Sequence, residues 1–199
     1  AAATYAGVAG EFGGLAAATA RAQEALARQV TALQLAGQLA AADTLAQKFA
    51  ASYPQSLLLP SVLLRSAESA YLEAQAAAKD PQRAAETERL LTDAVTRYQH
   101  VVTVFPDFAQ VNSAREGMAN AQYQQGNYAA AAETLQGIAE SERSGDLVTV
   151  WYLQGDCLLR TLPPEGDDAL ATAKMLMQAE AAARNLSAFV SAAGIKAAP

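Results

Sequence analysis

The chain has 199 residues, 52% of them apolar, and a formal net charge of −6. That balance argues against non-specific binding to nucleic acid or anionic membrane, which needs clustered Lys and Arg, and no apolar run reaches the ~18–20 residues of a membrane span. Cys157 is the single cysteine, so no internal disulfide can form, and the compartment is not diagnosed.

Roughly a quarter of the residues are alanine, the strongest helix former, so the composition predicts closely stacked helices. The start, Ala1 to Gly10, lacks the basic opening of a signal peptide and has no initiator Met; it reads as a mature form or a piece of a longer protein. Residues 1–14 are expected to be a flexible segment. The first helix is expected from Phe12–Leu15 to Leu35, with Leu26, Val30 and Leu33 on one stripe. Gly37 supplies a turn. A second helix then carries Ala42, Leu45, Ala46 and Phe49 and stops before Pro54.

After Ser56 and Pro60, Val62–Ala78 reads as helix. Asp80-Pro81 reads as a helix opening, with Asp as cap and Pro in the first turn. The next helix runs through Leu90, Leu91, Ala94, Tyr98 and Val101 to Val104, and Pro106 ends it. Phe108–Gln125 follows, anchored by Val111, Met118 and Tyr123. Gly126-Asn127 turns into Tyr128–Ser141, with Ala131, Leu135 and Ile138 inward. Ser144-Gly145-Asp146 breaks the chain before Leu147–Thr161. The β-prone run Leu147 to Leu153 reads as helix, because apolar helical spacing continues through Asp156-Cys157-Leu158. Pro163-Pro164-Glu165-Gly166 closes it. A last helix, about Asp168–Leu186, precedes an Ala/Gly tail over 188–199 that is expected to fray. The sum is eight helices in four antiparallel pairs.

A recurrent phase links the pairs. Gly37 and Ala42 are spaced like Gly126 and Ala131, and Ala42 and Pro54 like Ala94 and Pro106. Together with Leu26, Leu33 and Phe49 in the first pair, and Ala67, Tyr71 and Tyr98 in the second, this pattern resembles tetratricopeptide repeats of 34 residues. The third pair carries it in Met118, Ala119, Tyr123, Gly126, Tyr128, Ala131, Leu135 and Ile138, and the fourth in Trp151, Gly155 and Leu158. Pro54 to Pro106 is 52 positions, 18 more than the unit, with the excess around Glu73–Arg89. The third pair ends at Arg143-Ser144-Gly145 without a proline. Lengthened repeats with phrases such as Tyr53-Pro54-Gln55-Ser56 and Phe105-Pro106-Asp107 resemble those of bacterial cell-envelope proteins, and the resemblance spans residues 20–185.

The resemblance implies an all-α, right-handed α-α superhelix of about four antiparallel pairs over residues 15–187. The first helix of each pair would line a concave groove. With Ala67, Ala119 and Gly155 as packing positions, the groove-facing, partner-binding residues would be Arg65, Glu68, Glu116, Asn120, Gln124, Tyr152, Asp156 and Arg160, with Tyr71 and Tyr123 at the edge. Family members that clamp a terminal carboxylate use Lys and Asn there. Asn120 is present, but Glu116 stands where a Lys is wanted, so a mixed lining for a peptide or protein surface is the expectation.

No constellation of catalytic residues emerges. His100, two residues after Tyr98, reads as solvent-facing or partly packed, and Cys157 as a small buried hydrophobe. Zinc needs several Cys and His ligands, and the chain has two such residues. Glu140, Glu142 and Asp146 straddle a turn without the calcium-loop pattern. Gly7, Gly10, Gly13 and Gly14 are neither preceded by a strand nor followed by Gly-Lys-Ser/Thr. The reading is therefore a non-catalytic interaction scaffold with no cofactor and no metal, holding a protein or peptide and able to self-associate through repeat ends, with the periplasm or cell envelope favoured over the cytoplasm. Its rivals are an envelope assembly component that uses its convex face or helix ends, and an α-toroid enzyme domain.

Overall fold

The computed structural model describes residues 2–5, 7, 16–164 and 168–194. All regular structure among them is helical, and none is strand. Two compact units divide the chain, Ala1–Ala114 and Arg115–Pro199.

Unit 1 holds α1 (Ala16–Leu35), α2 (Leu39–Ser52), α3 (Leu59–Ala77) and α4 (Ala84–Val104). Helix α1 packs on both α2 and α3, and α3 packs on α2 and α4. The turn between α1 and α2 follows from Gly37, whose φ of 72° is open to glycine at little cost. There Gly37 N–H donates to Gln34 O and Gln38 N–H to Leu33 O, a Schellman closure that satisfies the last carbonyls of α1. At the far end of α2, Pro54 cannot continue the helix. The chain instead steps out in threes, Ser56 N–H to Tyr53 O and Leu59 N–H to Ser56 O.

Around these turns Val30, Ala42, Ala46, Phe49, Leu59 and Val62 form a core, with Leu26, Leu33, Leu45 and Phe105 against it. Burial of Phe49, Val30 or Val62 stabilises the fold by about 1.5–3 kcal/mol each. The α3–α4 contact is built differently. Ala67, Ala70, Ala74 and Ala77 on α3 are buried, as are Leu90, Leu91, Ala94, Tyr98 and Val101 on α4, so small residues on α3 are matched by large ones on α4. Polar groups cross the same layers. Arg97 on α4 bonds Asp43 on α2, Ser66 Oγ on α3 at 2.8 Å, and Asp93 Oδ2 at 2.8 Å.

The division between units falls inside α5 (Val111–Gln124). Unit 2 continues with α6 (Tyr128–Gln136), α7 (Thr149–Arg160) and α8 (Ala169–Ala192). Helix α7 packs on α6 and α8. Gly126, at φ 77°, repeats the Gly37 turn bond for bond: Gly126 N–H to Tyr123 O and Asn127 N–H to Gln122 O. The ladder after Pro106 likewise repeats the one after Pro54, with Phe108 N–H to Phe105 O and Val111 N–H to Phe108 O. The core gathers Ala119, Ala131, Leu135, Ile138, Val150, Leu153 and Cys157. Gly155 lets α8 approach α7: a Cβ there would stand 2.8 Å from Leu186 Cγ and 3.1 Å from Ala182 O.

Several expected boundaries move, each for a local reason. Helix α3 begins at Leu59 rather than Val62, because Pro60 fits inside the first turn. Helix α5 begins at Val111, not Phe108, since Phe108 is a rung of the ladder after Pro106. Asp80-Pro81 opens a 3-10 turn, Pro81–Arg83, with Asp80 Oδ1 accepting from Gln82 N–H at 2.9 Å; the α-helix starts only at Ala84. The helix expected over Tyr128–Ser141 stops at Gln136, and 3-10 turns follow at Glu140–Glu142 and Gly145–Leu147. The helix expected from Leu147 therefore begins at Thr149. Helix α8 overruns Leu186 to Ala192, where Gly194 at φ 65° gives the left-handed residue that ends it. Residues 2–5 and 7, inside the expected flexible start, are helical. The expected helix start at Phe12–Leu15, the glycines Gly10, Gly13 and Gly14, the Glu165-Gly166 stop and the tail 195–199 lie outside the described residues.

Candidate functional site

The three packing positions, Ala67, Ala119 and Gly155, are all buried. In unit 2 the chain brings Glu116, Asn120 and Gln124 of α5 beside Tyr152 of α7, lining one hollow of about 370 Å³ with Tyr123, Thr149 and Leu153. Spacings of four along α5 put its three polar residues on one face. Asn120 Nδ2 donates to Glu116 O at 3.1 Å. Thr149 Oγ1 donates to Glu116 Oε1. Burial pushes the Glu116 carboxyl above its ordinary value; the Thr149 hydrogen bond opposes this, and the nearby Asp146 charge adds to it.

Asp156 and Arg160 do not line this hollow but are joined to it through Tyr123. Tyr123 OH donates to Asp156 Oδ2 at 2.5 Å, and Arg160 Nε donates to the same oxygen at 2.6 Å. Burial alone would raise the Asp156 carboxyl, but these two hydrogen bonds outweigh it and hold the group below its ordinary value. The Arg160 guanidinium also stands 5.3 Å above the Tyr123 ring and 4.9 Å above that of Tyr128. Those rings meet edge to face at 5.1 Å. Charge, phenol and aromatic face are thereby fixed in one rigid cluster at the α5–α6 hairpin. Tyr152 remains 49% exposed and leans on Phe189 at 5.6 Å, so its ring offers a surface.

Arg65 and Glu68 belong to unit 1, on α3. They pair at 2.5 Å, and Gln34 Nε2 donates to Arg65 O at 2.9 Å and to Ser69 Oγ at 3.2 Å. Burial raises the Glu68 carboxyl against the pull of Arg65. Arg65 also lines a hollow of about 310 Å³ with Arg28, Thr31 and Ser61. Tyr71 and Tyr123 are half-buried. His100 is exposed, its ring 6.3 Å from Phe105, and Cys157 is fully buried.

Sequence spacing singled out Glu116, Asn120, Gln124 and Tyr152, but no motif marked Thr149, one turn before Tyr152, or Leu153 beside it. It also missed Arg143 and Gln154, polar residues only 7% and 3% exposed. Among the described residues, no group of three His, Cys, Asp or Glu side chains could hold a metal ion, and no helix is long and apolar enough to cross a membrane. No protein-family model matches the chain, and no curated protein matches it.

Proposed function

We propose that the chain is a non-catalytic interaction module of the tetratricopeptide type, taking a peptide or protein surface into the α5–α7 trough of unit 2. The observation that carries this reading is that Glu116, Asn120, Gln124 and Tyr152, up to 36 positions apart in the sequence, line a single hollow. Its chemistry suits a polypeptide. A half-buried carboxylate and side-chain amides meet backbone N–H and C=O groups, while Tyr152 offers a flat face to an apolar side chain. The finer reading, a right-handed stack of about four helix pairs, is supported by the identical turns at Gly37 and Gly126 and by α1 packing on both α2 and α3. Replacing Glu116, Asn120 and Tyr152 together by alanine should abolish capture of a partner while leaving the melt unchanged. Capture retained by the triple variant overturns the trough as the interface.

One feature favours assembly as a second reading. On α8, Leu170, Leu176 and Met177 are 66%, 52% and 69% exposed, whereas no large apolar side chain of α5 or α6 is exposed. A structural component of an assembly, in the cell envelope, would cover such a surface. Sedimentation at rising concentration tests it: self-association lost in Leu170→Lys with Met177→Lys supports assembly, and a monomer at all concentrations removes self-assembly.

A further inference from the structure

Unit 2 holds a second hollow, about 450 Å³, between α7 and α8 beside the loop that follows α6. Its residues are distinct from those of the α5–α7 trough, and the inference stands independently of the reading above. Two buried polar groups line it, Arg143 and Gln154.

Arg143 is a charge buried without an ion-pair partner among the described residues. Its Nε donates to Ile138 O at 3.0 Å, Nη2 to Leu135 O at 3.2 Å, and Nη1 to Asn185 Oδ1 at 3.3 Å. The Trp151 ring covers one face at 4.7 Å, and Trp151 Nε1 donates to Arg143 O at 3.0 Å. Three of the five guanidinium N–H groups are thus used, leaving one on each terminal nitrogen. No carboxylate among the described residues pairs with it, although Glu140 lies at the rim. Burial lowers its affinity for a proton, with Glu140 opposing from a distance. An anion in the hollow would supply what the protein omits.

Gln154 points to the second half of the ligand. Its Oε1 is buried and accepts no hydrogen bond among the described residues. A buried acceptor left unpaired keeps its desolvation penalty, so a donor at that position is favoured. Leu158 and Ala181 give the same hollow an apolar flank, and Arg184, exposed on α8 and 3.9 Å from Glu180, stands at its rim.

We propose that this hollow binds a small organic carboxylate carrying a hydroxyl or amino donor beside the acid and an apolar body beyond it. The acid would take the two remaining N–H groups of Arg143, whose planar fork matches a carboxylate. The donor would meet Gln154 Oε1 once that amide turns toward the hollow, and the apolar body would lie on Leu158 and Ala181.

Three isosteric probes test it by calorimetry on the full chain: 3-phenyllactate, 3-phenylpropionate without the hydroxyl, and 3-phenyllactamide without the charge. Phenyllactate should bind, phenylpropionate about tenfold more weakly, and phenyllactamide not measurably. Gln154→Leu removes the orphan acceptor, so its melting temperature should hold or rise while the preference for phenyllactate over phenylpropionate disappears. Glu140→Gln should tighten both acids. Equal binding of all three probes, a preference that survives Gln154→Leu, or no binding at millimolar concentration overturns the proposal; the last outcome leaves a hollow filled by water alone.

Discussion

Arg97 in unit 1 and Arg143 in unit 2 each tie helices together through a guanidinium, yet their surroundings are opposite. Arg97 meets two carboxylates and a serine, and those hydrogen bonds raise its proton affinity despite burial. Arg143 is buried more deeply and meets two backbone carbonyls, an amide and an indole, so burial wins and the affinity falls. Repeated hairpin turns therefore frame two ways of placing a cation. One neutralises it with formal charge, and the other solvates it with dipoles where helix α6 ends. Losing the second arrangement should cost more, because it frees the Ile138 carbonyl, which has no other donor among the described residues, while Leu135 O keeps the Ile138 N–H.

The largest effect should come from Arg143→Ala, which strands the Ile138 carbonyl and uncovers Trp151: a loss of about 3 kcal/mol in urea unfolding. Asp43→Asn, which keeps a hydrogen bond and leaves Asp93 on Arg97, should cost about 1 kcal/mol. Equal losses would erase the distinction between the two sites. Next, Gly155→Val forces branched carbons into Leu186 and the Ala182 carbonyl and should cost about 2 kcal/mol. An unchanged melt would mean that α8 shifts freely over α7. Gly37→Val and Gly126→Val should each cost about 1–2 kcal/mol, since both sit at positive φ with open space around them. A clear difference between those two would break the equivalence of the hairpins.

The smallest effects concern acid titration in the trough. The Asp156 carboxyl is held below its ordinary value, so its contribution is present above that value and is lost as pH falls through the folded one. The Glu116 carboxyl is raised, so stability falls as pH climbs from its ordinary value through the folded one. Glu116→Gln should thus leave unit 2 a few tenths of a kcal/mol more stable at neutral pH, and Asp156→Asn less stable. Melting curves across the acid range check both signs.

What the sequence made legible was local. Gly37, Gly126, Pro54 and Pro106 act through φ and a missing N–H within a few residues, so their turns follow from residue type and spacing. The stripe Leu90, Leu91, Ala94, Tyr98 and Val101 was legible for the same reason and is buried throughout. Arg143 was not. In the run Ser141-Glu142-Arg143-Ser144 it looks like a solvated loop cation, and what buries it is Trp151, eight residues on, and Asn185 on another helix. The stop of α6 at Gln136 was hidden likewise: beyond it Ile138 stays buried in the core, and its carbonyl accepts from Arg143 Nε rather than from a further turn of helix. On the trough, helical spacing placed Glu116, Asn120 and Gln124, while Tyr123 with Asp156 and Arg160 needed two helices to meet.

The position of Cys157 gives unit 2 a built-in clock. Fully enclosed on α7 among Ala131, Leu135 and Val150, its thiol is pushed up to about 11 by burial, with the Asp156 charge adding to the effect. At neutral pH the sulfur is therefore both hidden and protonated, and an alkylating reagent reaches it as thiolate only when α7 parts from its neighbours. With no other sulfhydryl in the chain, the alkylation rate of the unaltered protein reads how often this half of the molecule comes apart.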